Sequence, residues 1–281
     1  MRHHPVVDLV HRAVQADEQL GRRIVWERRE PELTRLPVEP PEGAPEGPQR
    51  PVPLPDGEIE RYSDRTWFSS LAGLASSLAA TNDLKRAVVP VLDLIPKPAR
   101  FGRDAFAARL DRVLAARGVV TMDPGALRRL DRLDVLVVAP GVLSEDGVAA
   151  AGADVVVAGS DHHGLRLVSL GPSPLDVHES SEDPVALVRR LQRESHVVGL
   201  VAAGPIAALA HADVAIGQVR EGRPVPWEAD VLVGPDLADL LLLVEATGAA
   251  REVSHQSVPP GAARRQHRGR RGLRRAAPHG P

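Results

Sequence analysis

The chain has 281 residues, enough for one large domain with appendages. It contains no cysteine, which excludes disulfides, thiolate metal sites and a Cys nucleophile. Its formal charge of −2 conceals an asymmetry: residues 259–281 carry seven Arg and no acid, leaving 28 basic against 37 acidic residues elsewhere, about −9, and a mildly acidic body is not a nucleic-acid-binding footprint.

Aromatic residues make up only 2% of the chain, so its core must be built from Ala, Val and Leu. Lysine occurs only at Lys85 and Lys97 and every other Lys or Arg position is Arg, the codon bias expected of a high-GC genome. The start, Met1 to Pro5, lacks the apolar run of a signal peptide.

Residues 1–30 form an amphipathic helix pattern with Val6, Val7, Leu9, Val10, Val14 and Leu20 as apolar members. Prolines then crowd between Pro31 and Pro55; each removes an amide donor and disfavours helix before it, which predicts an extended linker. Trp67 to Ala80 and Ala87 to Ile95 are two apolar arms around a charged turn at Asn82 to Arg86, a helical hairpin pattern. Each arm falls short of the ~20 apolar residues that span a bilayer, so a helical pair packed on the next domain is expected, with a worn membrane hairpin as the alternative.

Phe101 to Arg117 reads as an amphipathic helix with Phe101, Ala105, Phe106, Leu110, Val113 and Leu114 on one face and Gly118 as its cap. Val119 to Met122 has a strand pattern, and Pro124 to Leu130 a short helix with Asp123 as N-cap. Strand seeds recur at Asp134 to Ala139, Asp154 to Ala158, Leu165 to Leu170, Val197 to Val201, Asp213 to Ile216 and Asp230 to Val233. Asp183 to Gln192 is a helix pattern with Val185, Val188 and Leu191 at three-residue steps, and Leu237 to Ala250 a closing helix. Helix and strand alternating in this way predict an α/β fold: a Rossmann-like parallel sheet with flanking helices, preceded by the hairpin. In such sheets chemistry sits in loops at the carboxyl ends of strands, here above all the turn Ala202 to Pro205. After Val258 apolar periodicity stops, and the basic segment reads either as a disordered arm for anionic partners or as a stretch translated out of frame.

Few side chains in these loops carry chemistry. Asp161, His162 and His163 form a polar cluster, but adjacent His side chains rarely face one ion, so no metal site is expected. Gly159 to Asp161 offers backbone amides suited to weak anion binding. Asp134, Asp154, Asp213 and Asp230 each precede a strand seed and read as solvated strand edges, with His196 and His211 as ordinary residues at element ends. Ala202-Ala203-Gly204 lacks the Gly-x-Gly spacing and helix-opening Lys of a phosphate loop.

Taken in order, several segments resemble the cation-transporting P-type ATPases, particularly the large, divergent actinobacterial type. Asp64 to Ile95 resembles the third and fourth membrane helices, and Pro96 the family's helix-breaking proline. Arg117 to Val120, Ala126 to Leu130 and Asp134 to Val138 are similar to the stalk and the first strand of the haloacid-dehalogenase-like (HAD-like) phosphorylation domain. Val155 to His162 resembles the strand ending in Thr-Gly-Asp, and Ser181 to Gln192 the helix that opens with a phosphate-binding lysine. Val197 to Ile216 resembles the Gly-Asp-Gly-x-Asn-Asp hinge and the strand after it, and Gly234 to Gln256 the run toward the fifth membrane helix.

The resemblance implies Mg²⁺ and ATP as the family's cofactors and an aspartate nucleophile at the end of the first strand, where this chain has Ala139. The lysine position falls on Pro184 and the Mg²⁺-binding carboxylate on Ala203, and only about ten residues follow Leu143 where the family inserts a nucleotide-binding domain. No catalytic residue, metal ligand or cofactor is therefore expected, and Gly159, Ser160, Asp161 and Gly204 remain as a residual phosphate loop. The expected organisation is an N-terminal helix and Pro-rich linker over 1–65, hairpin and stalk helix over 66–118, a HAD-like domain over 119–258 and a basic tail over 259–281. The expected partner is the rest of a membrane pump, with nucleic acid relevant only to the tail, and the expected place is membrane-associated or cytoplasmic. The function implied is a fragment or degenerate half of a cation pump without turnover; the alternative is a non-catalytic module binding a pump subunit or another protein.

Overall fold

The computed structural model describes residues 5–39, 49–64, 97–143, 147–171, 173 and 177–258. The hairpin arms and the basic tail lie outside the described residues. Described residues of 1–55 and 104–251 form one compact unit, and those of 56–103 and 252–281 a second. The sheet and everything relevant to a site belong to the first.

Helix α1 (Pro5–Leu33) and α2 (Lys97–Ala116) precede β1 (Val120–Thr121). Then come α3 (Pro124–Leu127), a 3-10 turn at Leu130–Arg132, β2 (Val135–Val138) and α4 (Gly147–His162). β3 (Arg166–Leu170), β4 (His178–Ser180), α5 (Pro184–Arg193) and β5 (Val198–Ala202) follow. A 3-10 turn at Ala207–His211, β6 (Val214–Gln218), β7 (Val231–Val233) and α6 (Ala238–Gln256) complete the described chain.

The seven strands run β1-β7-β6-β5-β2-β3-β4. All neighbours are parallel except the edge pair β1 and β7. Every residue of β2, β5, β6 and β7 is buried, as strands covered on both faces require, which explains why they read as apolar runs rather than alternating ones. Glycine lets the layers approach at β6: a Cβ on Gly217 would stand 2.5 Å from Pro226 Cγ and 2.9 Å from Ala229 Cβ.

Local sequence fixes several boundaries. Asp123 accepts a bond from Gly125 N (2.7 Å) with Pro124 behind it, and Asp183 accepts one from Ala186 N (2.9 Å), so both helices begin where side-chain oxygens satisfy orphan amides. Gly118, at φ +84°, ends α2, with Val119 N bonded to the Leu114 carbonyl at 3.0 Å.

Several expectations need correction. Asp154 to Ala158 is helical, inside α4, rather than a strand. Ala153, Val156 and Ser160 are each 0% exposed, a helical spacing, and parallel β2 and β3 need a covering crossover between them. The short edge strand β4 had no apolar pattern to reveal it; its residues are exposed or half-buried.

On α1 the buried members are Glu18, Val25 and Leu33, whereas Leu9, Val10 and Leu20 are 68%, 56% and 57% exposed. The helix runs through Pro31 to Leu33. Charge docks it: Arg128 donates to both carboxylate oxygens of Glu18 (3.1 and 2.9 Å) and to Asp104 (3.1 Å), and Arg22 stands 3.5 Å from Asp111. On α2, likewise, Ala105 is exposed while Ala107, Ala108, Leu110, Asp111 and Leu114 are buried.

The described part of the proline-rich segment is anchored. Arg50 donates to Asp213 (2.9 Å) and to the carbonyls of His196 (2.5 Å), Val52 (2.9 Å) and Pro53 (2.5 Å), so residues next to it are held at the amino ends of β5 and β6.

Candidate functional site

Strand order reverses direction between β2 and β5: the chain moves outward from β2 to β3 and β4, then returns to β5 and continues to β6 and β7. The crevice outside the carboxyl ends at such a switch point is where doubly wound sheets bind ligands. Ala139 closes β2, its N–H bonded to the Val201 carbonyl at 2.8 Å, and Ala203 follows β5; they are 7% and 8% exposed. Gly204 stands on the next level, where a Cβ would meet nothing within 4 Å, so no close backbone approach demands glycine there.

Among the described residues, β6 supplies polar groups at this end. Arg220 donates from Nη2 to the Gly141 carbonyl (2.6 Å) and to Gln218 Oε1 (2.8 Å), with Nε also directed at Gln218 (3.1 Å). Gln218, 2% exposed, passes the connection on, donating from Nε2 to the Pro235 carbonyl at 2.6 Å. These residues have no motif spacing; the available signal was a polar Gln closing an otherwise apolar strand run. A guanidinium beside two alanines does not fit Mg²⁺, which takes oxygen ligands from carboxylates and phosphates. The residues that close β2 and β5, Ala139 to Val142 and Ala203 to Pro205, include no carboxylate.

Gly159, Ser160 and Asp161 lie on the last turns of α4, away from this crevice. The Leu165 N–H bonds the Ser160 carbonyl at 2.8 Å, and Arg166, the next residue, pairs with Val135 at the start of β2. They therefore stand at the amino end of the sheet, while Gly204 stands at the carboxyl end, and the structure does not bring the four together. The end of a helix presents carbonyls rather than free amides, the wrong polarity for an anion. Asp161 and His162 are exposed, and among the described residues no group of three or more His, Asp or Glu is placed to hold a metal ion. Pro184 occupies the first turn of α5.

Asp134, Asp213 and Asp230 are bonded rather than merely solvated, although the Asp134 side chain is 41% exposed. Asp134 accepts from Val197 N, Asp213 from Val198 N and Asp230 from Ala215 N, each at 2.8 Å, so each carboxylate satisfies an amide at the amino end of a neighbouring strand. Each also has a partner: His196 at 2.9 Å from Asp134, Arg50 at 2.9 Å from Asp213 and Arg129 at 3.6 Å from Asp230. Burial pushes the Asp230 carboxyl up to about 6, against the bond from Ala215 and the charge of Arg129. Asp154, on α4, is exposed and takes no part. His211 is 6% exposed and accepts Arg189 Nη2 at its Nδ1 (2.8 Å); burial and the Arg189 charge hold its pKa below the ordinary value.

No protein-family model matches the chain. It is 30% identical, over 298 aligned positions, to the "Probable cation-transporting ATPase I" of two Mycobacterium tuberculosis strains, covering 89% of this chain and 17% of each relative. The protein of the same name from Mycobacterium leprae is 28% identical over 311 positions, covering 89% and 18%. Among solved structures, a zinc-transporting PIB-type ATPase matches with a TM-score of 0.50 at 12% identity, over 73% of this chain and 57% of that one. This chain is a relative of the cation-transporting P-type ATPases. It spans about a sixth of the length of the curated relatives it matches.

Against the P-type ATPase pattern, the sheet is HAD-like: β2 is the central first strand, with Ala139 where the resemblance puts the nucleophile, and β5 beside it carries Ala203. The match of Val155 to His162 to the strand ending in Thr-Gly-Asp does not hold. That segment is the crossover helix, and the next strand in the sheet is β3, which ends at Leu170 and is followed by Gly171. Among the described residues no helix is long and apolar enough to cross a membrane.

Proposed function

We propose that the chain is a fragment or degenerate half of a cation pump, carrying a HAD-like phosphorylation-type domain that performs no phosphoryl transfer and requires neither Mg²⁺ nor ATP. The observation that carries this reading is Ala139 at the carboxyl end of the central strand. Phosphoryl transfer through a covalent intermediate needs an oxygen nucleophile there and a metal to neutralise the moving charge. A methyl group at β2, a second at β5 and an arginine across them supply neither. The organisation proposed is the helix and linker over 1–65, the hairpin and stalk over 66–118, the domain over 119–258 and the tail beyond, on a polypeptide that is cytoplasmic or membrane-associated.

Incubating the purified chain with labelled Mg-ATP and quenching in acid tests the reading. The expected result is no covalent phosphate and no Mg²⁺-dependent phosphate release. Hydroxylamine-sensitive label on the chain, or release that Asp161→Asn abolishes, would overturn it.

A second reading is a non-catalytic module that binds another part of a pump. The favouring observation is on α1, where Leu9, Leu20 and Ile24 are 68%, 57% and 48% exposed on the side opposite the buried Glu18, Val25 and Leu33. Fractionation of cells expressing the full chain separates the two: recovery only in the soluble fraction, bound to a pump polypeptide, favours the module.

A further inference from the structure

One strand separates the partners of the Arg220 bond. Gly141 follows β2 and Arg220 follows β6, with β5 between them, so the side chain reaches across roughly 10 Å, two strand spacings, to close on the Gly141 carbonyl. Register puts the three exits level: Val138 pairs with Val201, and Ala202 pairs with Gly217. The guanidinium therefore lies over the carboxyl end of β5, across the switch-point crevice itself. Through the buried Gln218 the relay continues to the Pro235 carbonyl, ahead of α6. One cation thus ties together the loops leaving β2, β6 and β7. Gly141 sits at φ +81°, a left-handed conformation that turns the chain over between Pro140 and Val142.

We propose that Arg220 is a latch. Its guanidinium holds the crevice closed and fixes the three loops around it as one unit, a built-in positive charge in the place where a bound ligand would otherwise order them. Hydrogen bonds from a charged donor in a half-buried setting are the stronger kind, and losing one leaves the Gly141 carbonyl and Gln218 to find water. The inference is independent of whether the domain turns over ATP: it concerns loop order, and phosphate trapping neither supports nor removes it.

Hydrogen–deuterium exchange on the full chain, wild type against Arg220→Ala, tests it. Exchange of the amides at 141–143 and of Gly234, Asp236 and Leu237 is expected to rise together, by about tenfold, while β2 and β5 stay protected. Arg220→Lys, which keeps the charge but lacks the planar fork, is expected to fall between the two. Unchanged exchange at 141–143, or a rise confined to 219–221, would show that the arginine merely decorates the end of β6 and sink the proposal. If Arg220→Ala does not fold, Gln218→Ala cuts the same relay one link further on; unchanged exchange of the Gly234, Asp236 and Leu237 amides in that variant overturns it equally.

Discussion

Arg128 shows how much one side chain decides. It is 25% exposed, donates to Glu18, Asp104 and the Pro124 carbonyl, and so joins α1, α2 and α3 at one point. Glu18 is 4% exposed at its side chain, too deep to be left without a cation. Arg128→Met is expected to cost about 3 kcal/mol in denaturant unfolding, because an unpaired carboxylate stays behind in a site closed to water. Glu18→Gln with Arg128→Met should recover part of that loss, since no net charge is then stranded. The sequence displays Arg128 as one more arginine in Ala126 to Leu130; only the fold brings residue 18 to it. Ala139 is the opposite case. Its place at the end of a strand was legible from the apolar run before it and the Pro-Gly after it, and the missing nucleophile is what the resemblance implies.

At the scale of elements, four strands were legible because each is a short apolar run buried on both faces: β2, β5, β6 and β7. The same rule misled at Asp154 to Ala158, where three valines in a row look like a strand. Periodicity over so short a run does not separate strand from buried helix, and the preceding Ala-rich stretch, a strong helix former, settles it. Packing between elements is tight at β6, where a Cβ on Gly217 would stand 3.0 Å or less from Pro226, Ala229 and Leu232. Gly217→Ala is therefore expected to destabilise by about 2 kcal/mol, read as a lower midpoint in urea at unchanged slope, because neighbouring backbone and rings must move. Gly204→Ala, with open space around its Cβ, is the matched control and should cost far less.

For the whole molecule, the buried carboxylates set the pH dependence. Burial raises Asp111 and Asp230 to about 6 from an ordinary value of 3.8, with Thr121 and then Arg22 opposing the shift at Asp111 and the Ala215 amide and then Arg129 opposing it at Asp230. Between those values the folded chain holds more protons than the unfolded one, so these two groups make stability fall as pH rises from about 4 through about 6 and level off above. Melting temperatures across pH 4.5 to 7.5 should show this component, and Asp111→Asn should flatten it by removing the ionised form that burial penalises; an unaltered profile in the variant would argue against it. By itself the sequence determined the α/β class and most element positions, because these depend on local periodicity, and the resemblance alone puts Ala139 and Ala203 at the family's reactive positions. Tertiary structure alone decided that Gly159 to Asp161 and Gly204 stand at opposite ends of the sheet, that aspartates cap neighbouring strands and that Arg220 crosses the crevice. Those facts rest on which strands become neighbours, and a linear pattern of residues does not contain that order.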